Sequence, residues 1–148
     1  MFGKLNQIVK ENASKDVFLT AGIAETSLEA AVNEASGVMI DILKRQVEAG
    51  KAKDVLTFFK SKKSGREAII MLMINKYANR LNKYYGLSSV EAKKLSTSII
   101  PVAIDKFILE IAEEKKEGNN IFPLLNWLSG NTVNFENFFK RTNQLQLA

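Results

Sequence analysis

The chain lacks two residue types altogether: among its 148 residues there is no cysteine and no histidine. Without cysteine, disulfides and every thiol-based mechanism are excluded. Zinc, copper and iron–sulfur centres normally need cysteine or histidine ligands, so we expect no metal and no cofactor. Catalytic triads built on histidine or cysteine are excluded as well. For an enzyme, this leaves carboxylate, lysine, tyrosine or serine chemistry, or an oxygen-ligated Mg²⁺ or Ca²⁺.

Long hydrophobic runs are also missing. No segment approaches the roughly 18 consecutive apolar residues that a membrane-spanning helix needs. The first residues, MFGKLNQIVKE, contain no apolar core of a secretory signal. Together with the lack of cysteine, this predicts a cytoplasmic protein without a membrane insertion.

Strand signals are scarce, whereas apolar residues recur at helical spacing along nearly the whole chain. The pattern predicts an all-α fold, a compact single domain (1–148) of six or seven helices. The predicted helices are about 3–13, 26–49, a short one through Val55–Phe59, 66–84, 89–116, a short one through Leu124–Leu128, and 135–147. Val17, Phe18 and Leu19 are expected to reach the core from a break between the first two helices. The helix 66–84 is apolar nearly all round at its start, which predicts that it is the most buried one.

Several residues are typical helix boundaries. Thr26 with Glu29, and Ser88 with Glu91, have the spacing of capping boxes. Asp54 is expected to cap the short helix that follows it. Gly50 and Gly86 suit the position just after a helix end.

The chain shows weak signs of an internal repeat. A shift of 64 residues places Gly22 on Gly86, Asp41 on Asp105, and the apolar stripe of one long predicted helix on that of the other. The polar stretch 60–65 separates candidate half-repeats 1–62 and 66–148. Two unrelated helical hairpins explain the same pattern equally well, so both interpretations stay open.

Residues 86–95, which read GLSSVEAKKL, and the following Ile99-Ile100-Pro101 resemble a recurring segment of the YidB-like family. That family comprises small helical bacterial proteins of uncharacterised function, and the similarity covers mainly residues 86–115. The resemblance implies a multi-helical fold with internal duplication. It implies no activity and no site residues.

The charge of the chain is concentrated in its middle third. Residues 51–100 contain eleven basic and three acidic residues, whereas 1–50 contain five and seven, and 101–148 contain five and six. One interpretation is a patch for nucleic acid, the ribosome or another anion, with Tyr77 and Tyr84 positioned to stack on bases. The other is a solvated surface. The residues of the predicted patch are Lys60, Lys62, Lys63, Arg66, Lys76, Arg80 and Lys83.

Two further groups of residues suggest functions. Asp41 and Asp105 can be read as a buried carboxylate pair for acid–base catalysis, but the favoured interpretation is that each faces solvent or pairs with a basic residue of its own helix. Adjacent aromatic residues point about 100° apart on a helix, so one of each pair is expected to be exposed. Phe59, Phe138 and Phe139 are therefore the predicted contacts for a partner protein.

These observations favour a non-enzymatic helical interaction module that binds a protein partner or a second copy of itself, with no small-molecule ligand. The alternative is a nucleic-acid- or ribosome-associated protein that uses the basic segment 51–83.

Overall fold

A computed structural model describes residues 2–60, 66–115 and 122–130 of the chain. These residues form seven α-helices and no strand, so the predicted all-α fold is confirmed. The helices are α1 (Phe2–Asn12), α2 (Lys15–Ala21), α3 (Leu28–Glu48), α4 (Ala52–Lys60), α5 (Glu67–Tyr84), α6 (Ser89–Lys115) and α7 (Phe122–Leu128). The predicted helix 135–147 lies outside the described residues.

The two long helices α3 and α6 organise the core. Helix α1 packs against both of them, and so does α5. Helices α4 and α7 contact each other and also pack against α3. The buried residues form one continuous apolar cluster that includes Leu43 of α3, Phe58 of α4 and Phe107 of α6. Burial of these amphipathic faces is the main source of helix stability in a fold of this kind.

Polar contacts fix how the helices sit on this core. The Ser96 hydroxyl of α6 donates to the Ile74 carbonyl of α5 at 2.7 Å. Between α1 and α3, the Asn6 side-chain amide donates to the Asn33 side chain at 2.8 Å. On the other side of α3, the Lys44 ammonium lies 4.9 Å from the centre of the Trp127 ring of α7.

The segment between α1 and α3 is helical, which corrects the predicted break. Helix α2 buries Phe18, but Val17 is exposed and Leu19 is only half-buried. A seven-residue helix on the surface presents one narrow face to the core, so three consecutive residues cannot all be buried. The helix ends in a Schellman motif: the amide of Ile23 donates to the Phe18 carbonyl, and Gly22 adopts a φ of 108°.

The prediction that the helix 66–84 is the most buried one is wrong. Helix α5 buries one stripe, which comprises Ile69, Met73, Ile74, Tyr77 and Leu81. Met71 and Leu72 are half exposed. Helices α3 and α6 cover only one side of α5, so an all-round apolar sequence leaves large side chains in contact with solvent.

Gly50 and Gly86 follow the ends of α3 and α5 with positive φ, as predicted. Of the three predicted N-terminal caps, one is confirmed and two are wrong. The amide of Glu91 donates to the Ser88 hydroxyl at 3.2 Å, which caps α6. Residues Glu25–Ser27 instead form a 3-10 turn that leads into α3, so Thr26 is not the cap of that helix. Helix α4 begins at Ala52, which places Asp54 inside its first turn rather than at the cap.

Positions 64 residues apart in α3 and α6 are buried together. The buried pairs include Ala31 and Leu95, Ala35 and Ile99, Met39 and Ala103, Leu43 and Phe107, and Val47 and Ile111. Gly22 and Gly86 both have positive φ, and each precedes a buried residue. The two long helices therefore face the core in the same register, while the origin of the halves 1–62 and 66–148 by duplication stays a prediction.

Candidate interaction surfaces

The described residues of the predicted basic patch differ in position and contacts, and do not form one continuous basic surface. Lys60 is exposed at the end of α4. Arg66 directs its Nε to the Phe58 carbonyl at 2.8 Å, and so satisfies an acceptor near the C-terminus of α4. Lys62 and Lys63 lie outside the described residues.

The α5 members of the patch are neutralised in part by α3. The Lys76 ammonium donates to the Asp41 carboxylate, and Arg80 Nε lies 3.6 Å from the Glu34 carboxylate. Asp41 also accepts from Arg45 Nε at 2.8 Å, one turn along its own helix. The prediction that Asp41 pairs with a basic residue of its own helix is thus confirmed. The second partner, Lys76, comes from a helix that the local spacing could not bring to it.

The Asp41 carboxyl is held in its charged form by these partners. Partial burial raises the pKa of this carboxyl. Hydrogen bonds and charge attraction from Lys76 and Arg45 lower the pKa by more than burial raises it, so it lies below its ordinary value. Asp105 is exposed on α6 and makes no ion pair with a described residue. The two aspartates are therefore in different surroundings: one is part of an ionic cluster between helices, and the other faces solvent.

The two tyrosines of α5 also differ. Tyr77 is buried and its hydroxyl donates to the Ala31 carbonyl of α3 at 2.8 Å, so the prediction that it stacks on bases is wrong. Burial raises the pKa of the Tyr77 hydroxyl well above its ordinary value. Tyr84 is exposed, and two cations lie beside its ring. Arg80 is 5.6 Å and Lys83 is 5.4 Å from the ring centre, within cation–π range.

An open hollow of 530 Å³ runs along this end of α5. We call it the Tyr84 hollow; its lining residues are Lys76, Asn79, Arg80, Asn82, Lys83 and Tyr84. The lining combines cations, two amide side chains and one aromatic ring. This set of groups can bind phosphate oxygens and stack on a base.

Phe59 is not a partner contact, which corrects the prediction. Its side chain is buried, with its ring edge-to-face against Phe58 at 5.2 Å and against Phe107 of α6 at 6.1 Å. Helix α4 packs against α3 and α7, and its Phe59 ring also contacts α6. Because α4 has neighbours in more than one direction, two adjacent aromatic side chains can both be buried. The other predicted contacts, Phe138 and Phe139, lie outside the described residues.

A second concave surface lies where α3, α4 and α5 meet. This α3–α4–α5 groove has a volume of 330 Å³. The residues that line it are Gln46, Lys51, Asp54, Thr57, Ala68, Ile69 and Leu72. Its α5 wall is apolar, and Leu72 is 45% exposed there. The opposite rim carries one cation, Lys51, and one anion, Asp54. Sequence periodicity could not find the groove because its residues come from three separate segments.

Two searches of the described residues gave negative results. Within 2–60, 66–115 and 122–130, no group of three or more acidic residues is arranged to hold a metal ion. None of the helices described is long and apolar enough to cross a membrane.

Comparison with protein-family models finds no matching family, and comparisons with curated proteins and with solved structures find no match either. The resemblance to the YidB-like family therefore stays a prediction. The geometry of the surfaces carries the functional argument.

Proposed function

We propose that this protein is a non-enzymatic helical interaction module that binds a protein partner at the α3–α4–α5 groove. The observation that carries the proposal is Leu72, a large apolar side chain that stays half exposed on the wall of a groove built by three helices. Concave apolar surfaces with a polar rim are typical sites for an apolar anchor residue of a partner. The absence of cysteine fits a reducing, cytoplasmic setting for such a module.

The groove supplies both affinity and orientation. Ala68 and Leu72 offer exposed apolar surface whose burial contributes about 25 cal/mol per Å², beside the buried Ile69. Lys51 and Asp54, on the rim, can select a partner by the placement of its own charges. The groove walls belong to helices anchored in the core, so little ordering is needed on binding.

We expect Leu72→Glu to abolish partner binding, because a carboxylate would have to be desolvated against Ala68 and Ile69. The measurement is affinity capture from cell extract with quantitative mass spectrometry. Proteins retained by the wild-type chain should fall at least about tenfold with the variant, the effect of losing roughly 1.4 kcal/mol. Light scattering after size exclusion shows whether the partner is a second copy of the chain.

Met71→Glu is the matched control for this experiment. Met71 is 50% exposed and adjacent in sequence, but it does not line the groove; its sulfur lies 4.0 Å from Lys93 of α6. The control should retain the same proteins as the wild type. Equal loss with both variants, or with neither, contradicts a role for the groove.

We keep nucleic-acid binding as a second candidate because the Tyr84 hollow places two cations beside an exposed aromatic ring. An exposed ring stacks on any base, and stacking contributes roughly 1–3 kcal/mol per base. Neighbouring cations bind phosphates without reading sequence. The ion pairs with Asp41 and Glu34 reduce the positive charge at this surface, which is why we place this candidate second.

For this candidate, Tyr84→Ala should weaken binding of a short fluorescent single-stranded oligonucleotide by about tenfold, since the stacking platform is lost. Tyr84→Phe keeps the ring and should bind as the wild type does. Lys83→Gln should reduce the slope of log affinity against log salt by about one. The measurement is fluorescence anisotropy at several salt concentrations. Unchanged affinity in Tyr84→Ala rules out the hollow as the binding site.

A further inference from the structure

Corresponding sides of α3 and α6 differ in exposure: the side on α3 is covered by another helix, and the side on α6 is exposed to solvent. On α3, the flank that comprises Glu34, Val38 and Asp41 is covered by α5. Val38 is only 4% exposed, and Asp41 and Glu34 form their ion pairs with Lys76 and Arg80 across the contact. An amphipathic helix with basic residues along its edge thus completes this side of α3.

The equivalent flank of α6 lies 64 residues further along the chain. Ser98, Val102 and Asp105 match Glu34, Val38 and Asp41, and Leu109 continues the same side of the helix one turn further, where α3 has the exposed Arg45. We call this side of the helix the α6 flank. Val102 is 51% and Leu109 is 64% exposed there, and Asp105 makes no ion pair with a described residue. The position that is covered on α3 at Val38 is therefore exposed on α6 at Val102.

The cause lies in the helices that occupy the corresponding place. The residues 64 positions before α5 are divided between α1 and α2, which both contact α6. The continuous 18-residue helix α5 covers Val38 of α3, whereas the two shorter helices, separated by Ala13 and Ser14, leave Val102 of α6 exposed.

We propose that the α6 flank is a docking site for an amphipathic helix of a partner protein. The partner helix covers Val102 and Leu109 with its apolar face and presents a lysine or arginine to Asp105, as α5 presents Lys76 to Asp41. Lys106 stands where α3 has the buried Ile42, so the edge of the partner beside it is acidic or open to solvent. This surface is separate from the α3–α4–α5 groove, and either can fail without the other.

A peptide with the sequence of residues 67–84 is the direct probe, because α5 is the helix that covers the equivalent flank. Labelled peptide should bind the full chain in a fluorescence anisotropy titration, and Leu109→Glu should weaken that binding at least about tenfold. Val90→Glu is the matched control, since Val90 is also 64% exposed on α6 but lies near the other end of that helix. The control should bind as the wild type does.

A charge exchange tests the pairing itself. Asp105→Lys should weaken binding of the peptide, and a peptide with Lys76→Glu should restore it to that chain. Nonspecific apolar adsorption would not respond in this way. Because Asp105 and Leu109 are exposed, neither substitution disturbs the core.

Four results would overturn the proposal. The first is no binding up to about 1 mM peptide, and the second is binding that ignores both Leu109→Glu and Asp105→Lys. In the third, Asp41→Lys controls the affinity instead, which would place the peptide in the position of α5 on α3. In the fourth, Leu109→Glu leaves binding of the 67–84 peptide unchanged. It abolishes instead either the binding of a peptide of residues 131–148 or the self-association of the chain measured by light scattering.

Discussion

Replacing Phe107 with alanine should lower the free energy of unfolding by about 3–5 kcal/mol, measured by chemical denaturation. Phe107 is fully buried in α6 and packs edge-to-face on Phe59 of α4. The substitution removes the ring and leaves a cavity that the surrounding helices cannot close. Natural domains are stable by only about 5–15 kcal/mol, so the loss is a large part of the total.

The matched control is Leu109→Ala, two residues further along the same helix. Leu109 is mostly exposed, so its truncation should change stability by no more than about 0.5 kcal/mol. If Phe107→Ala does not fold, Phe107→Leu keeps more of the volume and should cost less, about 1.5 kcal/mol or below. Similar losses for Phe107→Ala and Leu109→Ala would mean that α6 does not present these two faces as described.

The core of the two long helices could be predicted from sequence because it depends on local periodicity. Every third or fourth residue of α3, from Ala31 to Leu43, is apolar, and the structure buries that stripe. The capping box of Ser88 and Glu91 is equally local, and one of its hydrogen bonds is present. Such features need only the geometry of one helix.

The errors concern features that depend on how helices meet. The divergence of adjacent residues on a helix predicts Phe59 at the surface, but α4 packs against α3 and α7, and the Phe59 ring contacts Phe107 of α6. The apolar start of α5 predicts burial, yet only one side of that helix is buried. An apolar side chain is favoured in the core, but it is buried only where neighbouring helices cover the side of the helix that carries it.

The same distinction applies to the candidate surfaces. The charge count of the middle third could be read directly, but the partners of Lys76 and Arg80 lie on α3, far away in sequence. The α3–α4–α5 groove draws on three separate segments. Spacing within one helix identifies the groups that share a side, and only the tertiary arrangement shows which of them are neutralised.

Gly22→Ala should lower the free energy of unfolding by about 2–5 kcal/mol, from two independent causes. Gly22 has a φ of 108°, a conformation that costs a residue with a Cβ roughly 1–2 kcal/mol. A Cβ at this position would also lie only 3.1 Å from Cδ2 of Leu87. Leu87 is buried, so its side chain has little room to move away, and forced contacts of this kind cost about 1–3 kcal/mol.

Gly86→Ala separates the two causes. Gly86 has a φ of 75°, but a Cβ there would meet nothing within 4 Å, so only the backbone cost remains. Chemical denaturation of both variants should show the larger loss for Gly22→Ala, by about 1–3 kcal/mol. In a chain that already carries Leu87→Ala, the further substitution Gly22→Ala should cost only the backbone part of its loss. Equal losses would mean that Leu87 relaxes freely. The predicted excess would show that the turn after α2 and the turn after α5 are held tightly together, although they are 64 residues apart.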